Sequence, residues 1–118
     1  VNEDGDRSGI DFRTVPGGRV SGRIRVPGDK SISHRAIMLG ALADGPSDIS
    51  GFLEGGDCLA TLEAFRSMGV EIERRGEAAV RIHGVGTSGL QRPAGPLDLG
   101  NAGTGMRLLT GLMSGQTF

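Results

Sequence analysis

The sequence predicts an α/β (α+β) fold, with elements in the order β-α-β-α-β-β and then β-α. Three observations predict it. Arg19 to Val26 alternates charged and apolar residues with the period of two expected of a strand with one wet face. Ser31 to Ala43, Cys58 to Met68 and Thr104 to Met113 instead repeat their apolar residues at helical spacing. Glycines, 22 in 118 residues, punctuate these stretches without a Gly-X-Y period, which excludes collagen.

Each element follows from its residues. Positions 1–18 are polar, acidic and glycine-rich, and are expected to be a flexible N-terminal segment. In the first strand Val20, Ile24 and Val26 share a face opposite Arg19, Arg23 and Arg25, and Pro27-Gly28 ends it. The first helix, Ser31 to Ala43, is expected to turn Ile32, Ala36, Leu39 and Ala43 inward, with Ile37 and Met38 widening the stripe, and Gly45-Pro46 stops it. Asp48 to Phe52 reads as a short strand. Asp57 is the expected N-cap of a second helix, Cys58 to Met68, which buries Leu62, Phe65 and Met68 and ends at Gly69. Val70 to Arg74 and Ala79 to His83 read as antiparallel strands around Gly76, and Gly84 to Pro96 as a loop. Leu97 to Leu99 is expected to be a brief strand, Gly100 to Gly103 a turn, and Thr104 to Met113 the third helix. The chain begins at Val1 rather than Met and stops at Phe118 as a further strand is due, so a piece of a longer protein is expected.

Composition narrows the function. A net charge of −1 gives no support to a nucleic-acid partner, and with no Trp or Tyr and four Phe there is little to stack bases upon. The single cysteine, Cys58, has no partner for a disulfide or a zinc site, which fits a reducing, cytoplasmic setting. No stretch is apolar enough to span a membrane. Of thirteen basic residues twelve are Arg, and Lys30 is the one Lys. A chain so biased toward Arg is expected to keep a lysine where a compact ammonium is required, although a solvated surface lysine is the plain alternative.

Two stretches about seventy residues apart share one design: V-P-G-D-K-S-I-S-H-R at 26–35 and L-G-N-A-G-T-G-M-R at 99–107. Each sets a glycine turn and a hydroxyl residue at a helix start, with basic side chains close behind. Helix N-termini present unpaired N–H groups and partial positive charge, so cations there are mildly unfavourable unless an anion intervenes. Lys30, Arg35 and Arg107 make sense beside anions, Ser31 and Thr104 can donate to phosphate oxygens, and Gly103 and Gly105 let backbone amides close on a ligand. Plainer readings stand beside these: the glycines as turns, Ser31 and Thr104 as caps, Arg35 and Arg107 paired with surface acids. The repetition favours two anionic ligands, or one with two anionic ends. His34 reads as a spectator, His83 has no partner in view, and Cys58 as a small buried residue. The nucleotide-phosphate fingerprints G-x-x-x-x-G-K-[ST] and a strand-to-helix G-x-G-x-x-G are absent from the sequence.

The run P-G-D-K-S-I-S-H-R-A at 27–36 closely resembles the first signature of the 5-enolpyruvylshikimate-3-phosphate synthases, and L-G-N-A-G-T-G-M-R at 99–107 resembles their second. L-E-G-G-D at 53–57 and S-M-G-V at 67–70 fall between them in the expected order. The resemblance implies a shikimate-pathway transferase that joins the enolpyruvyl group of phosphoenolpyruvate to the 5-hydroxyl of shikimate 3-phosphate, with no metal or organic cofactor. It implies that Lys30 is catalytic and lies between the substrates, and that Ser31 and Arg35 hold shikimate 3-phosphate. By the same resemblance Asn101, Gly103 and Thr104 lie against phosphoenolpyruvate, where glyphosate competes, and Arg107 steadies that loop. The family fold is two domains, each of three βαβαββ units. Residues 19–118 would be part of the N-terminal one, inactive alone, with the remaining part of the same enzyme as partner. The sequence departs from the pattern at Gly105, where many members have Ala, and at Leu108, where many have Pro. Two alternatives remain at this point: a stand-alone anion-binding module, and a UDP-N-acetylglucosamine enolpyruvyl transferase, whose members carry Lys-Asn in place of Lys30-Ser31.

Overall fold

A computed structural model describes residues 12–118 and contains α1 (Lys30–Leu42), β1 (Asp44–Ser50), α2 (Gly56–Ser67), β2 (Glu71–Arg74), β3 (Ala79–Val85) and α3 (Gly103–Met113). The flexible segment expected at 1–18 lies, for residues 1–11, outside the described residues, and 12–18 carry no helix or strand. The three strands form an antiparallel sheet in the order β1-β3-β2.

β3 is central because its neighbours match its alternation. Val80 and Ile82 point inward opposite Ile49 and Ile72, while Arg81 and His83 line the outer face with Asp48, Glu71 and Glu73. That outer face is laced by ion pairs. Arg81 Nε donates to Asp48 Oδ1 at 2.6 Å, and His83 Nε2 meets Glu73 Oε1 at 2.7 Å, so His83 has the partner the sequence did not reveal.

α1 lies directly upon β3. A Cβ on Gly40 would stand 2.9 Å from Ile82 Cδ1, and one on Gly84 would stand 2.5 Å from the Gly40 carbonyl and collide with that of Ala43. α2 packs beside α1, burying Cys58, Thr61, Leu62 and Phe65 at helical spacing. It ends as expected at Gly69, whose φ of +87° suits a residue without a Cβ. There Gly69 N–H donates to Arg66 O at 3.0 Å and Val70 N–H to Phe65 O at 3.1 Å. Arg66 then bonds the carbonyl of Ile72, fastening the helix end to β2.

Four expectations need correction. Arg19 to Val26 forms no strand: Val20 is 102% exposed, Ile24 86% and Val26 70%, and nothing among the described residues pairs with them. Alternation fits a residue to a strand, but a strand forms only against a partner. The buried face of α1 is also rotated from the one expected. Ile32 and Leu39 are 61% and 68% exposed, while Ser33, His34, Ile37, Met38, Gly40 and Ala41 are buried. The glycine contact with β3 and the polar contacts of Ser33 and His34 set that face, so apolar spacing alone misplaced it. β1 starts at Asp44, earlier than expected, and includes the Gly45-Pro46 pair that was read as a stop. Pro46 is tolerated because it lies on an edge strand. Finally, Leu97 to Leu99 is irregular: Leu99 is buried, and Asp98 Oδ1 accepts from Gly100 N–H at 2.8 Å in a local turn instead of joining the sheet.

Two predictions follow from this packing. Phe65→Ala should lower the free energy of unfolding by about 3–5 kcal/mol, read by urea denaturation, because the ring is fully buried between α1, α2 and the sheet. Hydrogen bonding from Arg81 holds the Asp48 carboxyl below its ordinary value, and His83 and then Arg75 do the same for Glu73. Lowered folded values mean that the unfolded chain binds more protons as pH falls. The contribution of these pairs is therefore full above the ordinary carboxylate range and lost as pH drops through it toward the lowered values. The urea midpoint should decline from pH 7 to pH 3, and less steeply in Asp48→Asn; equal slopes would show the pair to be energetically idle.

Candidate functional site

The start of α1 is built by Asp29, not by Ser31. Asp29 is the N-cap, accepting from Ile32 N–H at 2.7 Å, and its carbonyl accepts from both the Ser33 N–H at 3.0 Å and the Ser33 hydroxyl at 2.8 Å. The same hydroxyl accepts from Leu53 N–H at 3.0 Å, which ties the helix start to the link leading into α2. With Asp29 and Ser33 occupied in this way, the half-buried Ser31 makes no hydrogen bond among the described residues. Arg35 stands exposed in the second turn with no acidic partner among them.

Lys30 ion-pairs with Asp57, which lies in the first turn of α2 rather than at the N-cap position, held by Gly55. A carboxylate at a helix N-terminus is favoured and an ammonium disfavoured, so Asp57 offsets the unfavourable placing of Lys30 and raises its pKa by accepting its hydrogen bond. Both groups remain open to solvent, so the pair contributes little to stability. What it does is aim the ammonium along the wall of an open cavity of about 270 Å³, lined by Lys30, Leu53, Gly55, Gly56, Asp57 and Cys58. Cys58 is fully buried, its thiol lies 3.6 Å from the Lys30 carbonyl, and burial pushes its pKa up, against any activation at the helix start.

The second stretch reaches the same end of the molecule. Ala102 is the N-cap of α3 and offers no side chain to the first amides, so Thr104 does not cap the helix. Asn101 and Gly103 are exposed, Thr104 is half-buried, and Gly103 N–H donates to the Asn101 carbonyl at 3.1 Å. Arg107 bends back along its own helix, Nη1 donating to the Gly103 carbonyl at 3.3 Å, with no carboxylate partner among the described residues. A Cβ on Gly103 would meet only that mobile guanidinium, at 3.2 Å. Gly105 is different: a Cβ there would stand 2.8 Å from Thr61 Oγ1 on α2 and 3.5 Å from His34 Cε1 on α1.

The N-terminal turns of all three helices therefore converge at His34, Thr61 and Gly105. The two stretches singled out in the sequence are brought together, although no strand precedes either of them. Among the described residues Arg35 and Arg107 pair with no acid, and neither Ser31 nor Thr104 is a cap. Sequence reasoning missed Asp57 as the partner of Lys30 and Thr61 as the partner of His34. The signal available was the spacing of Asp57 and Thr61, one helical turn apart on the face toward α1.

The sequence profile of the EPSP synthase (3-phosphoshikimate 1-carboxyvinyltransferase) family matches residues 15–118. A relative from Methylococcus capsulatus named 3-phosphoshikimate 1-carboxyvinyltransferase is 65% identical over 107 residues, 91% of this chain and 24% of that protein. One of the same name from Hydrogenovibrio crunogenus is 61% identical over 109 residues, 92% of this chain and 24% of that protein. The solved EPSP synthase from Acinetobacter baumannii superposes with a TM-score of 0.78 at 59% identity, covering 82% of this chain and 22% of its own. The chain thus spans about a quarter of the length of the curated relatives it matches. Every helix and strand described above falls inside the family match, and the chain belongs to the EPSP synthase family.

Proposed function

We propose that this chain supplies one side of the site for 3-phosphoshikimate 1-carboxyvinyl transfer. In that reaction a bond forms between the 5-hydroxyl oxygen of shikimate 3-phosphate and the enolpyruvyl carbon of phosphoenolpyruvate, the carbon–oxygen bond to phosphate breaks, and the hydroxyl proton ends on the released phosphate or solvent. The observation that carries the reading is the convergence of the N-terminal turns of α1 and α3, with Lys30, Arg35 and Arg107 gathered where helix ends already favour anions. Both substrates are multiply anionic, which suits such a site, and membership of the family names the anions.

The residues divide the work by position. Lys30, the catalytic candidate, exchanges its hydrogen bond to Asp57 for one to phosphoenolpyruvate and screens the two substrates from each other as charge redistributes. Ser31 and Arg35, one helical turn apart on α1, hold the phosphate of shikimate 3-phosphate. Asn101, Gly103 and Thr104 present an uncapped helix end to phosphoenolpyruvate, and Arg107, lying back on Gly103, steadies that loop. Residues 19–118 act as part of an N-terminal domain in a cytoplasmic enzyme; among the described residues no helix is long and apolar enough to cross a membrane. The rest of the enzyme is the natural partner, closing over the half-site and covering the apolar side of Arg19 to Val26.

Two measurements test this. Titrating the chain with shikimate 3-phosphate and then phosphoenolpyruvate should move amide resonances at Lys30, Ser31 and Arg35 and at Asn101 to Thr104. Mixing the chain with the complementary part of the Methylococcus capsulatus relative should restore phosphate release, and Lys30→Met should then reduce kcat by about 10²–10³-fold. A folded mixture that stays inert, with no shifts in the titration, would rule the reading out.

A further inference from the structure

His34 is the one fully buried titratable base of the site, and the roles above leave it unused. It lies one helical turn after Lys30 and next to Arg35, with its ring wedged between α2 and α3. Its Nδ1 is 2.8 Å from Thr61 Oγ1, and the Thr61 hydroxyl in turn donates to the Asp57 carbonyl at 3.3 Å. A hydroxyl has one proton; with it directed at Asp57, Thr61 can only accept from the imidazole. In that arrangement His34 carries its proton on Nδ1, and Nε2, buried and without a partner among the described residues, keeps a bare lone pair. Burial first, and then the charge of Lys30, lower its pKa, with Asp57 opposing, which favours the neutral ring.

We propose that His34 is a positioning residue for this site, setting the distance between the anion-facing ends of α1 and α3. The proposal rests on the function assigned above. A Cβ at position 105 would stand 2.8 Å from the Thr61 hydroxyl, which the imidazole's hydrogen bond helps to hold in place, and 3.5 Å from the ring's Cε1, so glycine lets the first turn of α3 seat closely against both. The loop from Asn101 to Thr104 therefore rides on an imidazole carried by the same helix that carries Lys30, Ser31 and Arg35. A change of ring size or of tautomer shifts the phosphoenolpyruvate loop relative to Lys30 while every contacting residue stays in place.

Three readouts on the 118-residue chain test it. Long-range ¹⁵N–¹H spectra of the imidazole should show the Nδ1–H tautomer at neutral pH, and a cross-relaxation peak should join His34 Hε1 to the Gly105 Hα protons; an Nε2–H tautomer or no such peak would overturn the proposal without any variant. His34→Leu keeps bulk but has no donor, and should weaken phosphoenolpyruvate binding about tenfold to a hundredfold while Ser31 and Arg35 still respond to shikimate 3-phosphate. His34→Asn, which restores a donor where Nδ1 stood, should recover most of that loss. Gly105→Ala, whose methyl meets the Thr61 hydroxyl, should weaken the same ligand. Wild-type binding in a folded His34→Leu, or no recovery in His34→Asn, would reduce His34 to a core residue. A wild-type chain with the Nδ1–H tautomer and the Gly105 peak but no response to either substrate would sink the functional reading and leave the positioning intact.

Discussion

The fold depends on the absence of side chains where α1 crosses β3. Gly40 and Gly84 face each other there, and any Cβ on the strand would be driven into the helix backbone. Close backbone approach of this kind brings dispersion contacts that larger residues would hold apart, and it leaves one seating for the helix. That seating turns Ile37, Met38 and Ala41 into the core with Leu62, Phe65 and Ile82, and it fixes the direction in which the first turn of α1 points. The placement of Lys30 is thus decided by Gly40, ten residues along its own helix, and by Gly84 on β3.

Electrostatics then turns geometry into a site. Three helix starts gathered at one end form a region of partial positive charge that falls off within a turn of each terminus, so only groups placed there feel it. Asp29 caps α1 and Asp57 stands in the first turn of α2, while the start of α3 has neither a side-chain cap nor an acidic residue. The arrangement is balanced around α1 and α2 and unsatisfied at α3. An exposed pair such as Lys30 and Asp57 contributes little to stability. A pair this weak leaves the ammonium able to exchange its partner. The buried bond between His34 and Thr61 carries the rigidity instead, close to the charges but out of water.

Local chemistry was legible from the sequence, and long-range contact was not. Gly69 announced the end of α2 because a left-handed residue is a local demand, and the β2–β3 pair was readable from alternation around Gly76. Lys30 stood out by rarity, and the two glycine-rich helix starts by repetition. The face of α1 was misread because Ile32 and Leu39 look like core residues, while Ser33 and His34, which are buried, look like surface. A polar residue goes inside only when a partner is waiting, and the partners here, Leu53 N–H and Thr61, lie about twenty to thirty residues along the chain. No periodicity encodes that.

Arg19 to Val26 shows the same limit from the other side. It has the alternation of a strand, and leaving three branched apolar side chains in water forgoes about 1.5–3 kcal/mol for each that could be fully buried. Yet its C-terminal end is firmly placed: a Cβ on Gly28 would strike the Gly51 carbonyl and lie 3.0 Å from Leu53 N, the amide that also bonds Ser33. Gly28 stands two residues before Lys30. Whatever surface covers this segment must therefore settle against a backbone pinned beside the ammonium, and any tilt it imposes reaches α1 through Gly28 and the Asp29 cap. The exposed segment and the start of α1 are mechanically one unit, which is why the same ten-residue stretch, 26–35, carries both the end of an unpaired apolar segment and Lys30.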